Sequence, residues 1–173
     1  VIIGMGLIGQ LTAQILEAGG ITPIGIDISK SQLIIARKAG LRYVFNRNQE
    51  GLGEQIKKLT LGHGTDAVII TAGTSSLDPV DYAGQIARKK GKVVVVGAVP
   101  TGFSRENYYK KELDLRMSAS YGPGRYDPDY EEKGIDYPIG YVRFTEQRNM
   151  QTYLQLLADG KLNVEKLITH TFE

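Results

Sequence analysis

The chain has 173 residues, the length of one ordinary domain, and its 42% hydrophobic and 23% charged composition excludes a disordered chain and permits a substantial core. A formal charge of +2, with Lys-Lys pairs scattered at Lys57, Lys89 and Lys110, excludes nucleic acid as the main partner. The absence of cysteine excludes disulfides and thiolate chemistry within the chain; apolar runs no longer than such stretches as Val93 to Val96, with no signal sequence, exclude a membrane span and predict a cytoplasmic protein.

The chain opens at Val1-Ile2-Ile3, already inside a buried strand, which predicts a natural beginning further upstream. Gly4-Met5-Gly6-Leu7-Ile8-Gly9 then makes a glycine turn, and Leu7, Leu11, Ile15 and Leu16 recur at near-helical spacing up to Gly19-Gly20. Ile21 to Ile28 reads as a second buried strand with Asp27 at its end. Ser29 caps a helix through Leu33, Ile34 and Ala36 that Gly40 stops. Tyr43 to Phe45 is a short strand, and Gly51 to Leu61 a helix with Leu52, Ile56 and Leu59 on one face.

Ala67 to Ile70 is a continuous apolar strand running into Thr71-Ala72-Gly73. A helix from Pro79 to Lys89 leads to the strand Val93 to Val96, and Gly97-Ala98-Val99-Pro100 follows. A short polar helix near Arg105 to Lys110 precedes a sixth strand, Leu113 to Ala119. Strict alternation of helices with strands apolar on both faces predicts an α/β fold: a Rossmann doubly wound, six-stranded parallel sheet with helices on both faces. Gly122 to Gly140 reads as a long surface loop with a turn of helix around Asp129 to Lys133. Thr145 caps a last helix with Met150, Tyr153, Leu154 and Leu157 inward, and residues 1–173 read as one dinucleotide-binding domain.

The chemistry rests on three groups of residues. Gly4 permits a tight turn, Gly6 lets backbone approach a pyrophosphate, Gly9 lets helix pack on strand, and the amides of the helix start face the anion; a plain packing turn would use the same glycines. Asp27 ends the second strand 18 residues after Gly9, where its carboxylate can accept both adenosine ribose hydroxyls, an exposed turn aspartate being the alternative. No arginine directly follows Asp27, and only Lys30 is near to offset repulsion of a 2′-phosphate, so NAD is expected over NADP. Thr71, Ala72, Gly73, Gly97, Ala98 and Val99 are small or apolar residues where strands four and five end, as the floor of a dinucleotide site requires and as ordinary turns also allow.

His63 and His170 read as exposed residues without catalytic or metal-binding neighbours, so no catalytic residue and no metal ligand is assigned. The tyrosines Tyr121, Tyr126, Tyr130, Tyr137 and Tyr141 either mark a surface that packs on another domain or subunit, or fill a solvated loop.

These residues resemble the coenzyme domain of the medium-chain, zinc-type alcohol dehydrogenases and their reductase relatives. The resemblance runs from Val1 to about Gly122 and rests on Gly4 to Gly9, Ile26-Asp27-Ile28-Ser29-Lys30, Gly62 to Ile69, Thr71-Ala72-Gly73 and Gly91 to Gly97. It implies that Gly6, Leu7 and Ile8 bind pyrophosphate, that Asp27 with Ile28 beside it binds the adenosine ribose, and that Val96, Ser118 and Ser120 offer backbone groups to the nicotinamide carboxamide. It further implies hydride transfer between NAD(H) and an alcohol or carbonyl substrate, a separate catalytic domain that would hold any zinc, and a homodimer through Leu113 to Ala119. The stretch from Ser120 onward is similar to a branch in which such a dehydrogenase is fused to a sugar-oxidoreductase-like module. A regulatory module that senses NAD(H) without turnover uses the same fold. S-adenosylmethionine-dependent methyl transfer is disfavoured by the six-element order and the full pyrophosphate fingerprint.

Overall fold

A computed structural model describes residues 1–172 and orders them as β1 (Ile2–Ile3), α1 (Leu7–Ala18), β2 (Ile24–Asp27), α2 (Lys30–Ala39), β3 (Tyr43–Asn46), α3 (Leu52–Leu59), β4 (Thr65–Ile70), α4 (Asp78–Ile86), β5 (Ala87–Val95), α5 (Arg105–Lys111), β6 (Asp114–Met117), α6 (Pro128–Glu131) and α7 (Glu146–Ala158), with a 3₁₀ turn at Glu165–Leu167. Two compact units result. One holds Val1–Met117 and the tail from Asn163; the other is Ser118–Leu162. No helix among the described residues is long and apolar enough to cross a membrane.

In the first unit all neighbouring strands are parallel, in the order β3-β2-β1-β4-β5-β6. This is the doubly wound Rossmann arrangement that the alternation predicts. Because successive strand residues face opposite sides of a sheet, Ile2 and Ile3 serve different cores. Ile2 packs with Met5, Ala13, Leu33 and Val44 beneath α1 and α2, while Ile3 joins Ile56, Val68, Val80, Val93 and Tyr108 beneath α3, α4 and α5. Helix ends close as the sequence predicts at Ser29, which accepts from Gln32 N, and at Gly40, whose φ of 111° no β-branched residue would adopt readily. Lys111 closes another end: its ammonium donates to the carbonyls of Gly84, Gln85 and Ala87 at 2.8, 2.7 and 2.9 Å, at the C-terminus of α4. Partial burial there lowers its pKa.

Several boundaries differ from the pattern-based expectation for identifiable reasons. β2 starts at Ile24, not Ile21, because Pro23 has no N–H to pair and Ile21 lies 56% exposed. The helix expected to Lys89 stops at Ile86, since Ala87 already pairs with Thr65 before an irregularity that resumes at Ala67 and Lys92. β6 is Asp114–Met117 within the expected Leu113 to Ala119, because the chain enters the second unit at Ser118. α1 fully buries none of its large apolar residues, Leu11 and Leu16 being half-buried. It buries Gly9, Gln10 and Ala13, which let it lie close to the sheet, and leaves Leu7, Ile8 and Ile15 exposed.

The segment expected as a surface loop belongs to a folded unit of its own. Tyr130 donates its hydroxyl to the buried Thr145 Oγ1 at 2.9 Å and stacks on Tyr137 with centroids 5.5 Å apart, while Thr145 also accepts from Arg148 N to cap α7. Tyr121, Tyr126 and Tyr141 are exposed. Of the α7 residues expected inward, Met150 and Leu154 are instead exposed, and Tyr153 and Leu157 are half-buried. The packed centre sits at the start of α7, so the helix has little to lean on further along.

Tyr137 donates its phenolic hydrogen to the Asp127 carboxylate. That bond pushes the phenol up to about 12 and holds the Asp127 carboxyl below its ordinary value. A lowered carboxyl pKa contributes stability above the ordinary carboxylate range, and this is lost as pH falls through the lowered value. In Tyr137→Phe, the Asp127 carboxyl followed by NMR should titrate at a higher pH than in the wild type. An unmoved titration would remove the bond as the cause.

Candidate functional site

The carboxyl ends of β1, β2 and β4 meet at the glycine turn. Gly4 N donates to Ile26 O at 2.8 Å, and Thr71 N and Ala72 N donate to Ile3 O at 2.9 and 3.0 Å. Thr71 Oγ1 adds a bond to Gly4 O at 2.5 Å. Gly4 has φ +102°, a conformation that a side chain would strain, and a Cβ there would lie 2.5 Å from Ala72 N. Gly9 is buried, and its Cβ would fall 1.9 Å from Gly4 O. Gly6 is the opposite case. A Cβ on Gly6 would meet no atom within 4 Å, so its missing side chain leaves open space rather than permitting packing.

Gly6 also precedes α1 as its N-cap without a capping side chain, and no acidic residue follows in the first turn. The first bond inside the helix is Gln10 N to Gly6 O at 3.0 Å, so the amides of Leu7, Ile8 and Gly9 have no acceptor within it. The result is a helix start with unpaired donors beside an open backbone, which attracts an anion.

Asp27 stands at the end of β2 and is half-buried. One carboxylate oxygen accepts from Met5 N at 2.6 Å and the other from Ser29 N at 2.7 Å, tying the glycine turn to the start of α2. Each oxygen keeps a second lone pair for a further donor. A cleft of about 600 Å³ brings Asp27 together with Gly4, Gly6, Ile28, Thr71, Ala72 and Gly73. That volume lies within the range of sites for small organic ligands and cofactors.

The remaining expected site residues are placed differently. Leu7 and Ile8 are exposed on the first turn of α1, outside the cleft lining, and Gly9 lies buried beneath the turn as a packing residue. Val96, Gly97 and Ala98 follow β5. The amides of Val96 and Gly97 both donate to Ile70 O at 2.9 Å, and Thr74 N donates to Ala98 O at 2.9 Å, so this turn lies alongside Thr71-Ala72-Gly73. Ser118 and Ser120 belong to the second unit.

Sequence reasoning missed Arg47 and Asp78, which line the same cleft. Arg47 lies just beyond the end of β3, where the carboxyl-end rule would have directed attention, and Asp78 opens α4, the helix that follows β4. Arg47 N donates to Asp27 O at 2.9 Å; its Nε and one Nη donate to the two Asp78 oxygens at 3.0 and 2.6 Å, and its guanidinium lies 3.7 Å over the Tyr82 ring. Burial first, against the opposing charge of Arg47, pushes the Tyr82 phenol up.

A larger cavity of about 1020 Å³ lies at the amino ends of the strands, among Ile24, Tyr43, His63 and Asp66. It contains none of the expected ligand residues and lies opposite the end where open α/β sheets bind ligands. Among the described residues there is no group of three His, Cys, Asp or Glu that could hold a metal ion.

Residues 8–137 match the family model described as zinc-binding dehydrogenase. The chain is 30% identical over 176 residues to D-guloside 3-dehydrogenase from Escherichia coli K12, covering 97% of this chain and 45% of that protein. It is 36% identical over 100 residues to an NAD-dependent alcohol dehydrogenase from Sulfurisphaera tokodaii, covering 56% and 28% respectively. In structure it is similar to an alcohol dehydrogenase from E. coli CFT073 solved with NADH, with a TM-score of 0.70 and 22% identity over 99% of this chain and 44% of that one. The chain thus spans less than half the length of these relatives.

The geometry separates a packing glycine from an open one. Gly9→Ala should cost about 2 kcal/mol, because backbone must move to admit the methyl group, whereas Gly6→Ala should cost less than about 0.5 kcal/mol. Thermal melts of the two variants test this, and equal losses would refute the distinction.

Proposed function

The chain belongs to the zinc-binding dehydrogenase family, and we propose that it binds NAD(H) and orients it for hydride transfer to or from an alcohol or carbonyl carbon of a sugar-related substrate. The observation that carries the reading is that an open Gly6 and the Asp27 carboxylate line one cleft, with the unpaired amides of α1 following directly on Gly6.

In this reading the α1 amides and the Gly6 backbone hold the pyrophosphate, since a helix N-terminus stabilises anionic oxygens and Gly6 leaves them room. Asp27 accepts the ribose hydroxyls through its remaining lone pairs while its bonds to Met5 N and Ser29 N keep the carboxylate fixed. The turn after β5, Val96 to Ala98, supports the nicotinamide half. The cofactor, when bound, supplies the hydride acceptor or donor; this chain supplies its position. NAD is favoured over NADP because a 2′-phosphate would enter beside the Asp27 charge.

Zinc does not fit this chain's own donors, which include no cysteine and no metal-holding group among the described residues. Any polarisation of a substrate oxygen by a metal therefore belongs to a further catalytic domain, a partner in keeping with the greater length of the relatives. The proposal includes a homodimer through β6, the edge of the sheet, where Met117 is 64% exposed.

Calorimetric titration with NADH, NADPH and S-adenosylmethionine tests the cofactor. NADH should bind most tightly, and Gly6→Val should abolish that binding in a protein whose melting temperature is nearly unchanged, since its side chain would occupy the ligand's space. Undiminished NADH affinity in folded Gly6→Val would overturn the phosphate site.

A further inference from the structure

We propose that Asp78 sets the choice between NAD and NADP by occupying Arg47, whose guanidinium would otherwise receive the 2′-phosphate. The inference rests on the NAD(H)-binding reading above and deepens it.

The backbone fixes where Arg47 begins. Its N–H donates to the carbonyl of Asp27 at 2.9 Å, and the neighbouring Asn46 Nδ2 donates to Ile28 O at 3.1 Å, so the end of β3 is fastened to the end of β2. Neighbouring strands run about 4.8 Å apart, which sets the long Arg47 side chain one strand away from the proposed ribose ligand. Both residues line the same cleft.

The guanidinium is held on two sides. Asp78 accepts a two-pronged bond from it, the geometry in which an arginine is most fully committed to one carboxylate. Beneath it lies the Tyr82 ring, and Tyr82 is only 5% exposed, so this floor is fixed by the core. Arg47 itself retains 24% side-chain exposure, enough to remain reachable from the cleft.

A 2′-phosphate brings a charge approaching −2. Next to Asp27 and Asp78 it would meet two carboxylates, with Arg47 already neutralised. Lys30, at the exposed start of α2, lies outside the cleft lining and offers only a solvent-screened attraction. Specificity of this kind comes from a repulsive element aimed at the wrong ligand, not from an added contact to the right one. Without the Asp78 charge, the same guanidinium becomes a phosphate ligand already in position.

The experiment titrates wild type, Asp78→Asn and the double variant Arg47→Gln/Asp78→Asn with NADH and with NADPH, following nicotinamide fluorescence. Wild type should prefer NADH. Asp78→Asn should raise the NADPH:NADH affinity ratio by about tenfold, or ~1.4 kcal/mol, and the gain should shrink as salt is added. Adding Arg47→Gln should abolish it. An unchanged ratio in folded Asp78→Asn overturns the proposal, as does a gain that survives Arg47→Gln, which would assign the effect to the loss of one negative charge alone. Should Asp78→Asn fail to fold, Asp78→Ser, which keeps a residue suited to a helix start, makes the same comparison. Failure of wild type to bind NADH overturns the cofactor reading itself, and this inference with it.

Discussion

A Cβ on residue 9 would lie 1.9 Å from Gly4 O, so α1 begins where it does only because Gly9 has no side chain. The remaining geometry of the cleft follows from this contact. Pressed against the end of β1, the helix aims the amides of Leu7, Ile8 and Gly9 outward without an internal acceptor, and Gly6 lies over open space. Moving the helix back by even an ångström would loosen the Met5 N bond to Asp27 and with it the link between the turn and β2. The same closeness explains why α1 buries Gln10 and Ala13 while leaving Leu7, Ile8 and Ile15 exposed: large residues would hold the helix off the sheet.

Electrostatics along the cleft are local. A chain whose formal charge is only +2 still has an electropositive helix start whose preceding turn is bonded to a fixed carboxylate. The Asp27 side chain, half-buried at the end of β2, is held in place by two backbone N–H groups, one on each oxygen. Arg47 is the contrasting case, a cation in the lining whose charge is already spent on Asp78. Polarity of the lining residues is thus a poor guide to what the cleft attracts. Each group's existing partner decides what it still has to offer.

The fold was legible because parallel strands buried on both faces leave unmistakable apolar runs between helices, and the order of six such units fits few sheets. Glycine spacing disclosed the turn for a similar reason, since only glycine serves at Gly4 and Gly9. Other features depend on contacts remote in sequence. Nothing near Arg47 indicates that Asp78, 31 positions on, will hold its guanidinium, or that Tyr82 will lie beneath it. Apolar spacing in α1 suggested a buried face made of leucines and isoleucines, but closeness to the sheet selected small residues. The tyrosine-rich segment read as a loop because its order comes from side chains, Tyr130 on Thr145 and Tyr137 on Asp127, and not from a periodic pattern.

On the proposed reading, the chain divides the work of its cofactor unequally. The adenosine end has a lined cleft with a fixed carboxylate, a fixed arginine and a glycine turn. At the nicotinamide end, the turn after β5 leaves Val96 41% exposed and Ala98 exposed, and offers no titratable group to handle a substrate proton. Hydride transfer needs that end kept from water and its substrate oxygen polarised. A surface so open can anchor the ring from one side only. The proposed reading accordingly assigns enclosure and acid–base chemistry to polypeptide outside this unit, and to this chain the position in which the ring is held.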